Sequence, residues 1–479
     1  MKKFYLQNSW DGGQADSSLR GIKGSFTEGV GVDIRSTPGL LKVSQALVKE
    51  SAAIVTDFCK WGLVATDGNA YFFGDTGKVY KRTSAGVWTN PYTDANGAIL
   101  GCGEWNGYIY WATSAKLGRQ SVANAASEAN WASANASWQN LTAATYHPMV
   151  VQGLYLLIGN DTKIATVDDI DTFTANGTPD VTLADLPTEY TITSMATFGI
   201  DILIGTRVTT SYSSALVGRW DLASPAYSAL DDIPEVGVNC FIPTDNFMFI
   251  QAGNQGRIYY YDGSTISKTR KLAGDYANKT MTIYPGSYAS FRGVACFGLS
   301  NLSGNPCLEG IYTISQYDSN YPLSIVLEYV PSPNHLTAME IGAIVSIGNS
   351  LIVCWKDSTI PAGITYGADN ISWTAKYGSA YIKTLSIGGE RRKKKTYQEY
   401  DVAYKSKPTG TNISLSYYPN FNSSDTAITL DTETDYNKMF SKTHFEAGTV
   451  QFKLAFTASS NDAPEVEEFY TQWDEQEIL

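Results

Sequence analysis

The runs Tyr155-Leu156-Leu157-Ile158-Gly159 and Asp201-Ile202-Leu203-Ile204-Gly205 decide the reading of this chain, because they are two copies of one thing 46 residues apart. The same short apolar or aromatic segment, often closed by glycine, returns as Tyr71-Phe72-Phe73-Gly74, Tyr108-Ile109-Tyr110-Trp111, Phe247-Met248-Phe249-Ile250, Val294-Ala295-Cys296-Phe297-Gly298 and Leu351-Ile352-Val353-Cys354-Trp355. Starting at positions 71, 108, 155, 201, 247, 294 and 351, the copies are separated by 37, 47, 46, 46, 47 and 57 residues. A period of about 47 residues suits a four-stranded propeller blade.

The flanks agree. A second apolar strand follows several copies, as in Gly77-Lys78-Val79-Tyr80-Lys81, Gly256-Arg257-Ile258-Tyr259-Tyr260-Tyr261 and Gly310-Ile311-Tyr312-Thr313-Ile314. Asp67-Gly68, Asn106-Gly107 and Asp262-Gly263 read as hairpin turns, since type I′ turns need positive φ at both central residues. One such unit cannot bury both of its faces, so its neighbours must stack on it. The expectation is an all-β chain with a propeller of about seven blades, six and eight remaining open. An evenly spaced array of sandwich strands is the competing architecture.

Composition points the same way. Of 479 residues, 42 are Gly, 31 Tyr and 11 Trp, and only 17% are charged, below the roughly 25% of an average soluble protein. Strands and tight turns use such residues, whereas long amphipathic helices need more Lys, Glu, Arg and Leu. The formal net charge is -12. Stationary duplex binding is disfavoured, because Lys and Arg contacts to phosphate supply most of that affinity. An acidic surface past which DNA slides is compatible with the same charge.

Six cysteines (Cys59, Cys102, Cys240, Cys296, Cys307, Cys354) form no CxxC pair, and four sit in apolar runs, as buried free thiols do in a reducing compartment. The opening Met1-Lys2-Lys3-Phe4-Tyr5-Leu6-Gln7 lacks the apolar core of a Sec-type signal peptide, and no run of 18 apolar residues predicts a membrane span. The three histidines, His147, His335 and His444, have no metal-ligand neighbours, and no GxSxG, HExxH or P-loop appears. Asp168-Asp169-Ile170-Asp171 and Asp231-Asp232 read as turn residues: the first lacks the Gly and distant Glu of a calcium loop. Gly367-Ala368-Asp369-Asn370-Ile371-Ser372-Trp373 approaches a sialidase Asp-box but sets Asp and Trp one residue too close. No catalytic residue, metal site or cofactor is expected, and the chain is not read as an enzyme.

Composition shifts near residue 386. Arg391-Arg392-Lys393-Lys394-Lys395 is the only dense basic run, followed by inward candidates Tyr397, Tyr400, Val402 and Tyr404 and by the alternating strands Ile413-Ser414-Leu415-Ser416-Tyr417-Tyr418 and Val450-Gln451-Phe452-Lys453-Leu454-Ala455-Phe456. The chain closes with Glu465, Glu467, Glu468, Asp474, Glu475 and Glu477. Three parts are expected: an arm with first strands over 1–50, the propeller over 51–388, and a small antiparallel β-sandwich over 389–479. The basic entrance and acidic exit of the last part can meet within one subunit or across a contact. Arg391, Arg392, Lys393, Lys394, Lys395, Glu467, Glu468, Asp474 and Glu475 are the candidate subunit-interface residues. The arm either lies loose, follows a neighbour or supplies a strand to the ring.

The stretch Gly29-Val30-Gly31-Val32-Asp33-Ile34-Arg35-Ser36-Thr37-Pro38-Gly39-Leu40-Leu41 resembles the opening of tailed-bacteriophage virion proteins, which place a Gly-rich arm and an Arg…Pro-Gly segment before a propeller. The stretch from Arg391 through Tyr418 is similar to their C-terminal sandwich. The layout resembles tail hub or nozzle proteins. That resemblance implies a homo-oligomeric ring, a hexamer by preference, in the virion tail after synthesis in the host cytoplasm. Portal and adaptor proteins, tail fibres or spikes would be its partners. Genomic DNA would pass through without specific binding, and no membrane insertion is implied. The alternative function is a carbohydrate-binding or glycan-cleaving propeller in host-surface recognition.

Overall fold

A computed structural model gives the architecture; it describes residues 2–15, 17–209, 214–244, 247–254, 257–271, 281–301, 308–315, 323–333, 339–358, 365–388, 394–420, 422–433 and 436–475. The chain is all-β, with 58% strand and 3% helix, and its larger part is a β-propeller. The first blade consists of Cys59–Val64, Ala70–Gly74, Lys78–Arg82 and Trp88–Thr93, paired in chain order from the axis outward. Four further blades of the same plan begin at Gly101, Met149, Tyr190 and Val238. The sixth takes Met339–Ile347, Ser350–Asp357 and Thr365–Lys376, and then borrows Gln45–Lys49 as its outer strand.

The blade count is thus six rather than about seven. The repeat at Val294 does form four consecutive antiparallel strands, Tyr288–Phe291, Val294–Asn301, Gly310–Ser315 and Ser324–Tyr329. They do not end as a separate blade. Ser324–Tyr329 takes Ser25–Val30 alongside in parallel, and that strand passes the sheet on to Tyr381–Thr384, Val450–Thr457, Asn412–Pro419 and Thr426–Ile428. One eleven-stranded sheet therefore runs from the propeller ring into the C-terminal part.

Every copy of the sequence repeat is the second strand of its sheet. That position has a strand on each side and a neighbouring blade on each face. Ala70–Gly74 and Met248–Ala252 are buried at all five residues, and Tyr155–Asn160 at five of six. Burial on both faces produces a continuous apolar run instead of alternation. The outer strand Asn135–Asn140 shows the opposite pattern, with no fully buried residue.

The recurrent glycines have a packing reason as well. A Cβ on Gly74 would stand 2.1 Å from Asp57 Oδ2, on Gly205 2.4 Å from Ser194 Oγ, and on Gly298 2.4 Å from Ser287 Oγ. At these points the second strand passes closest to the inner strand and the loop leading into it. Of the three hairpin dipeptides, only Asn106-Gly107 has positive φ at both residues (46° and 77°). At Asp67-Gly68 and Asp262-Gly263 the glycine alone is left-handed, at 80° and 99°. The aspartate instead accepts backbone N–H bonds from Asn69 (2.9 Å), or from Ser264 (2.8 Å) and Thr265 (2.9 Å). An Asx turn replaces the type I′ turn there.

The C-terminal part is a sandwich of that eleven-stranded sheet and an eight-stranded one built around Lys395–Ser406 and Glu465–Glu475. Tyr397, Tyr400, Phe452, Phe469 and Trp473 fill the space between them. Tyr397 and Tyr400 are three residues apart yet both point inward, because the register shifts by a bulge between Tyr397 and Glu399. The chain leaves the last blade at Lys376, and Tyr381–Thr384 already belongs to the sandwich, ahead of the 388 boundary read from composition. The first fifty residues are woven into both halves. Lys2–Gln7 pairs with the final strand, Leu41–Val43 touches its other end, and Gln45–Lys49 closes the ring.

Candidate functional site

The basic run and the acidic tail meet inside one chain. Lys395 stands opposite Glu475, and Thr396 opposite Asp474, in antiparallel register. Lys395 is 0% exposed and its ammonium donates to the Gly448 carbonyl at 2.8 Å, so it is a strut of its own sheet. Lys394 is exposed and pairs with Glu446. Asp474 accepts from Gln398 Nε2 at 2.8 Å, and Glu475 receives Lys3 at 2.7 Å. Glu467 and Glu468 lie at the far end of the same strand, beside a shallow groove shared with Lys405 and Pro38. Arg391, Arg392 and Lys393 lie outside the described residues. The nine candidates therefore divide between two ends of one strand.

The eight-stranded sheet has two open edges. One is Lys2–Gln7, paired only with the final strand. It carries Lys2, Lys3 and the exposed Phe4 (67%) and Leu6 (41%), with Phe4 stacked on Tyr470 at 6.1 Å. The other is Asp431–Glu433, paired only with Lys438–Ser441, followed by Tyr436 at 74% exposure. One edge is basic and apolar, the other acidic. Counting the antiparallel pairings between them, the two edge strands run in the same direction.

A second polar group gathers at one mouth of the propeller, where inner strands begin and second strands end. Lys60 pairs with Asp75 at 2.8 Å, Lys356 with Glu340 at 2.5 Å, and the Tyr284 hydroxyl donates to Glu340. Lys60 also lies over the Tyr284 ring at 5.0 Å. Burial raises the Asp75 pKa, against the pull of Lys60. These groups come from the first blade, the last blade and the segment between, and each charge already has its partner. The cluster joins blades across the closure of the ring.

A third place is a cavity of about 570 Å³ where the propeller, the N-terminal segment and the final strand meet. Four cations line it, Arg35, Lys42, Arg292 and Lys376, together with the carboxylates of Asp33, Glu328 and Glu465. Arg35 pairs with Glu328, which also accepts from Thr313 Oγ1 at 2.8 Å. Lys42 reaches Glu465 at 3.2 Å. Asp33 accepts from the backbone N–H of Arg35 (2.9 Å) and Ser36 (3.0 Å); burial raises its pKa, these bonds outweigh it, and the carboxyl ends below its usual value. Trp373 forms an aromatic wall, with the Arg292 guanidinium 4.9 Å over its ring.

The residues scanned for chemistry are structural. His147 is enclosed between the second and third blades, with Nδ1 2.7 Å from the Gly159 carbonyl and Nε2 3.1 Å from that of Ser114. His444 is exposed, and His335 lies outside the described residues. Asp168 accepts N–H bonds from Ile170 (3.0 Å) and Thr172 (2.7 Å), while Asp171 holds Arg119 at 3.1 Å. Asp369 is buried and accepts from Ser332 and Trp355. Among the described residues no group of three or more His, Cys, Asp or Glu is placed to hold a metal. The five described cysteines are free and buried. The sequence reading did not single out the cavity or the two sheet edges. The cavity walls come from three distant segments and leave no local pattern, whereas the alternation in Lys2–Gln7 is a strand signal that was open to reading.

No family model matches this chain, and no curated protein matches it. Among solved structures, 75% of it superposes on 44% of the extracellular domain of a hybrid two-component system from B. thetaiotaomicron, with a TM-score of 0.47 and 16% identity. The chain thus spans less than half of that structure. It covers 97% of the WD40 β-propeller domain of Doa1 with 68% of its own length (TM-score 0.43, 10% identity). It covers 99% of the computationally designed Ika8 protein with 75% of its own (TM-score 0.38, 12% identity). Identities this low concern the fold alone.

Proposed function

We propose that this chain is a structural component of a tailed-phage virion, a tail hub or nozzle protein whose copies form a ring. The ring would extend the DNA-ejection conduit and dock fibres or spikes. The role is structural and not catalytic. The observation that carries it is the pair of open edges on one sheet, Lys2–Gln7 basic and apolar, Asp431–Glu433 acidic. Two different, complementary patches on one subunit favour head-to-tail association, which closes as a ring when the rotation per copy allows. Because the two edge strands run the same way, head-to-tail copies would pair them in parallel. Lys394 and the Lys3–Glu475 pair flank the basic edge, which retains part of the predicted interface there.

Charge suits the conduit. A net charge of -12 gives a passing polyanion few cations to bind, so DNA can move through without a specific site. A braced propeller is a sound platform for fibres, since its loops project from a scaffold that does not deform.

The test is native mass spectrometry with negative-stain imaging of the full chain, with and without the portal and adaptor proteins. Rings, six-fold by preference, should form, and Phe4→Glu with Leu6→Glu should reduce them to monomers. Monomers at high concentration even with those partners present, or rings indifferent to the double variant, would sink this reading.

A further inference from the structure

We propose that the cavity between the propeller and the sandwich is a binding site for an acidic saccharide, one sugar ring carrying a single carboxylate. The argument is independent of the ring and rests on what the wall residues leave uncommitted.

Three of the charged groups lining the cavity are spent on each other or on the backbone: Arg35 with Glu328, Lys42 with Glu465, and Asp33 with two N–H groups. Two cations remain. Lys376 donates to the Val43 carbonyl at 3.0 Å, and Arg292 lies over Trp373; among the described residues neither has a carboxylate partner. Burial, the largest influence on Lys376, lowers its pKa, so the ammonium is held in a place that costs it hydration. An anion beside it would offset that cost.

Sign and magnitude narrow the ligand. Four cations against three carboxylates leave one positive charge in a chain whose total is -12. One excess charge complements a monoanion, while a phosphate dianion would face three carboxylates. A planar carboxylate also matches a guanidinium fork. Around the cations stand groups that suit hydroxyls: the Glu328 and Glu465 carboxylates as acceptors, and Ser44 and Gln45, whose Oγ and Oε1 have no partner in the protein. The Trp373 indole supplies an apolar wall for a sugar ring, with its Nε1 tied to the Asn349 carbonyl at 3.1 Å. A volume of about 570 Å³ lies within the usual range of small-molecule sites, roughly 300–1,000 Å³.

Arg292 sits at φ 53°, a conformation most side chains avoid. The turn between Tyr288–Phe291 and Val294–Asn301 thus holds a strained arginine over the cavity wall, where asparagine or glycine would be easier.

The test is calorimetric titration of the full chain with glucuronate, N-acetylneuraminate, glucose and inorganic phosphate. The acidic sugars should bind, glucose at least tenfold more weakly, and phosphate no better than glucose. Arg292→Asn, which fits the positive φ, and Lys376→Met should each weaken the acidic sugars at least tenfold, with unfolding midpoints reported alongside. Absence of acidic-sugar binding at millimolar concentration would overturn the proposal. So would equal binding of glucose, preference for phosphate, or undiminished affinity in both variants when folded.

Discussion

Glu50 holds Arg82 with both carboxylate oxygens: Arg82 Nε donates to Oε2 at 2.6 Å and Nη2 donates to Oε1 at 2.7 Å. The same carboxylate accepts Trp88 Nε1 at 3.0 Å and Asn370 Nδ2 at 3.0 Å. Arg82 and Trp88 belong to the first blade, Asn370 to the last, and Glu50 follows directly on the strand Gln45–Lys49 that completes the last blade. One side chain therefore fastens the ring where it closes.

Glu50→Gln should unfold at lower urea concentration than the parent. Removing one partner of a fully buried pair costs roughly 3–5 kcal/mol; Glu50 is partly solvated, so about 2 kcal/mol is expected. Burial raises the Glu50 pKa, but the Arg82, Trp88 and Asn370 donors outweigh it and hold it below the usual 4.5. The contribution is complete above about pH 4.5 and fades as the pH falls through the lowered folded-state value. Equal urea midpoints for parent and variant at pH 7 would refute the clasp.

The glycines of the repeat make a second prediction. Gly205→Ala and Gly298→Ala place a methyl group within 2.4 Å of Ser194 Oγ or Ser287 Oγ, and next to Val238 or Ile341 of the following inner strand. Each should cost about 1–3 kcal/mol by overpacking. Gly378 has open space and no positive φ, so Gly378→Ala should stay within about 0.5 kcal/mol of the parent. Denaturant midpoints decide; parity among the three variants would contradict the packing account.

His147 supplies a pH dependence. Burial is the largest influence and lowers its pKa from 6.5, outweighing the Ser114 and Gly159 carbonyls, which raise it. Below about pH 6.5 the unfolded chain takes up a proton that the folded chain refuses, so stability falls as the pH drops toward the folded-state value. Thermal midpoints between pH 8 and pH 5 should decline more steeply for the parent than for His147→Gln. Parallel curves would mean that the imidazole titrates alike in both states.

The charged candidates show how a local pattern both informs and misleads. Arg391–Lys395 and the acidic tail were visible as opposites, and Lys395 does stand across from Glu475. Nothing local showed that this meeting would bury Lys395 within its own sheet, because burial depends on what the sandwich stacks above it. Asp168 and Asp369 were visible as carboxylates, but their work as acceptors for N–H groups depends on where turns and neighbouring strands bring the donors.

What the sequence determined by itself is the repeat: all seven apolar runs are second strands, since burial on both faces forces an unbroken apolar segment wherever that position occurs. Tertiary structure alone decided which edges join. That Gln45–Lys49 completes the last blade, that the repeat at Val294 flows into the sandwich through Ser25–Val30, and that Arg35, Arg292 and Lys376 share one cavity all follow from pairings across hundreds of residues. Those pairings are made by backbone N–H and C=O groups, which every residue carries alike, so side-chain patterns hold no record of the partner chosen.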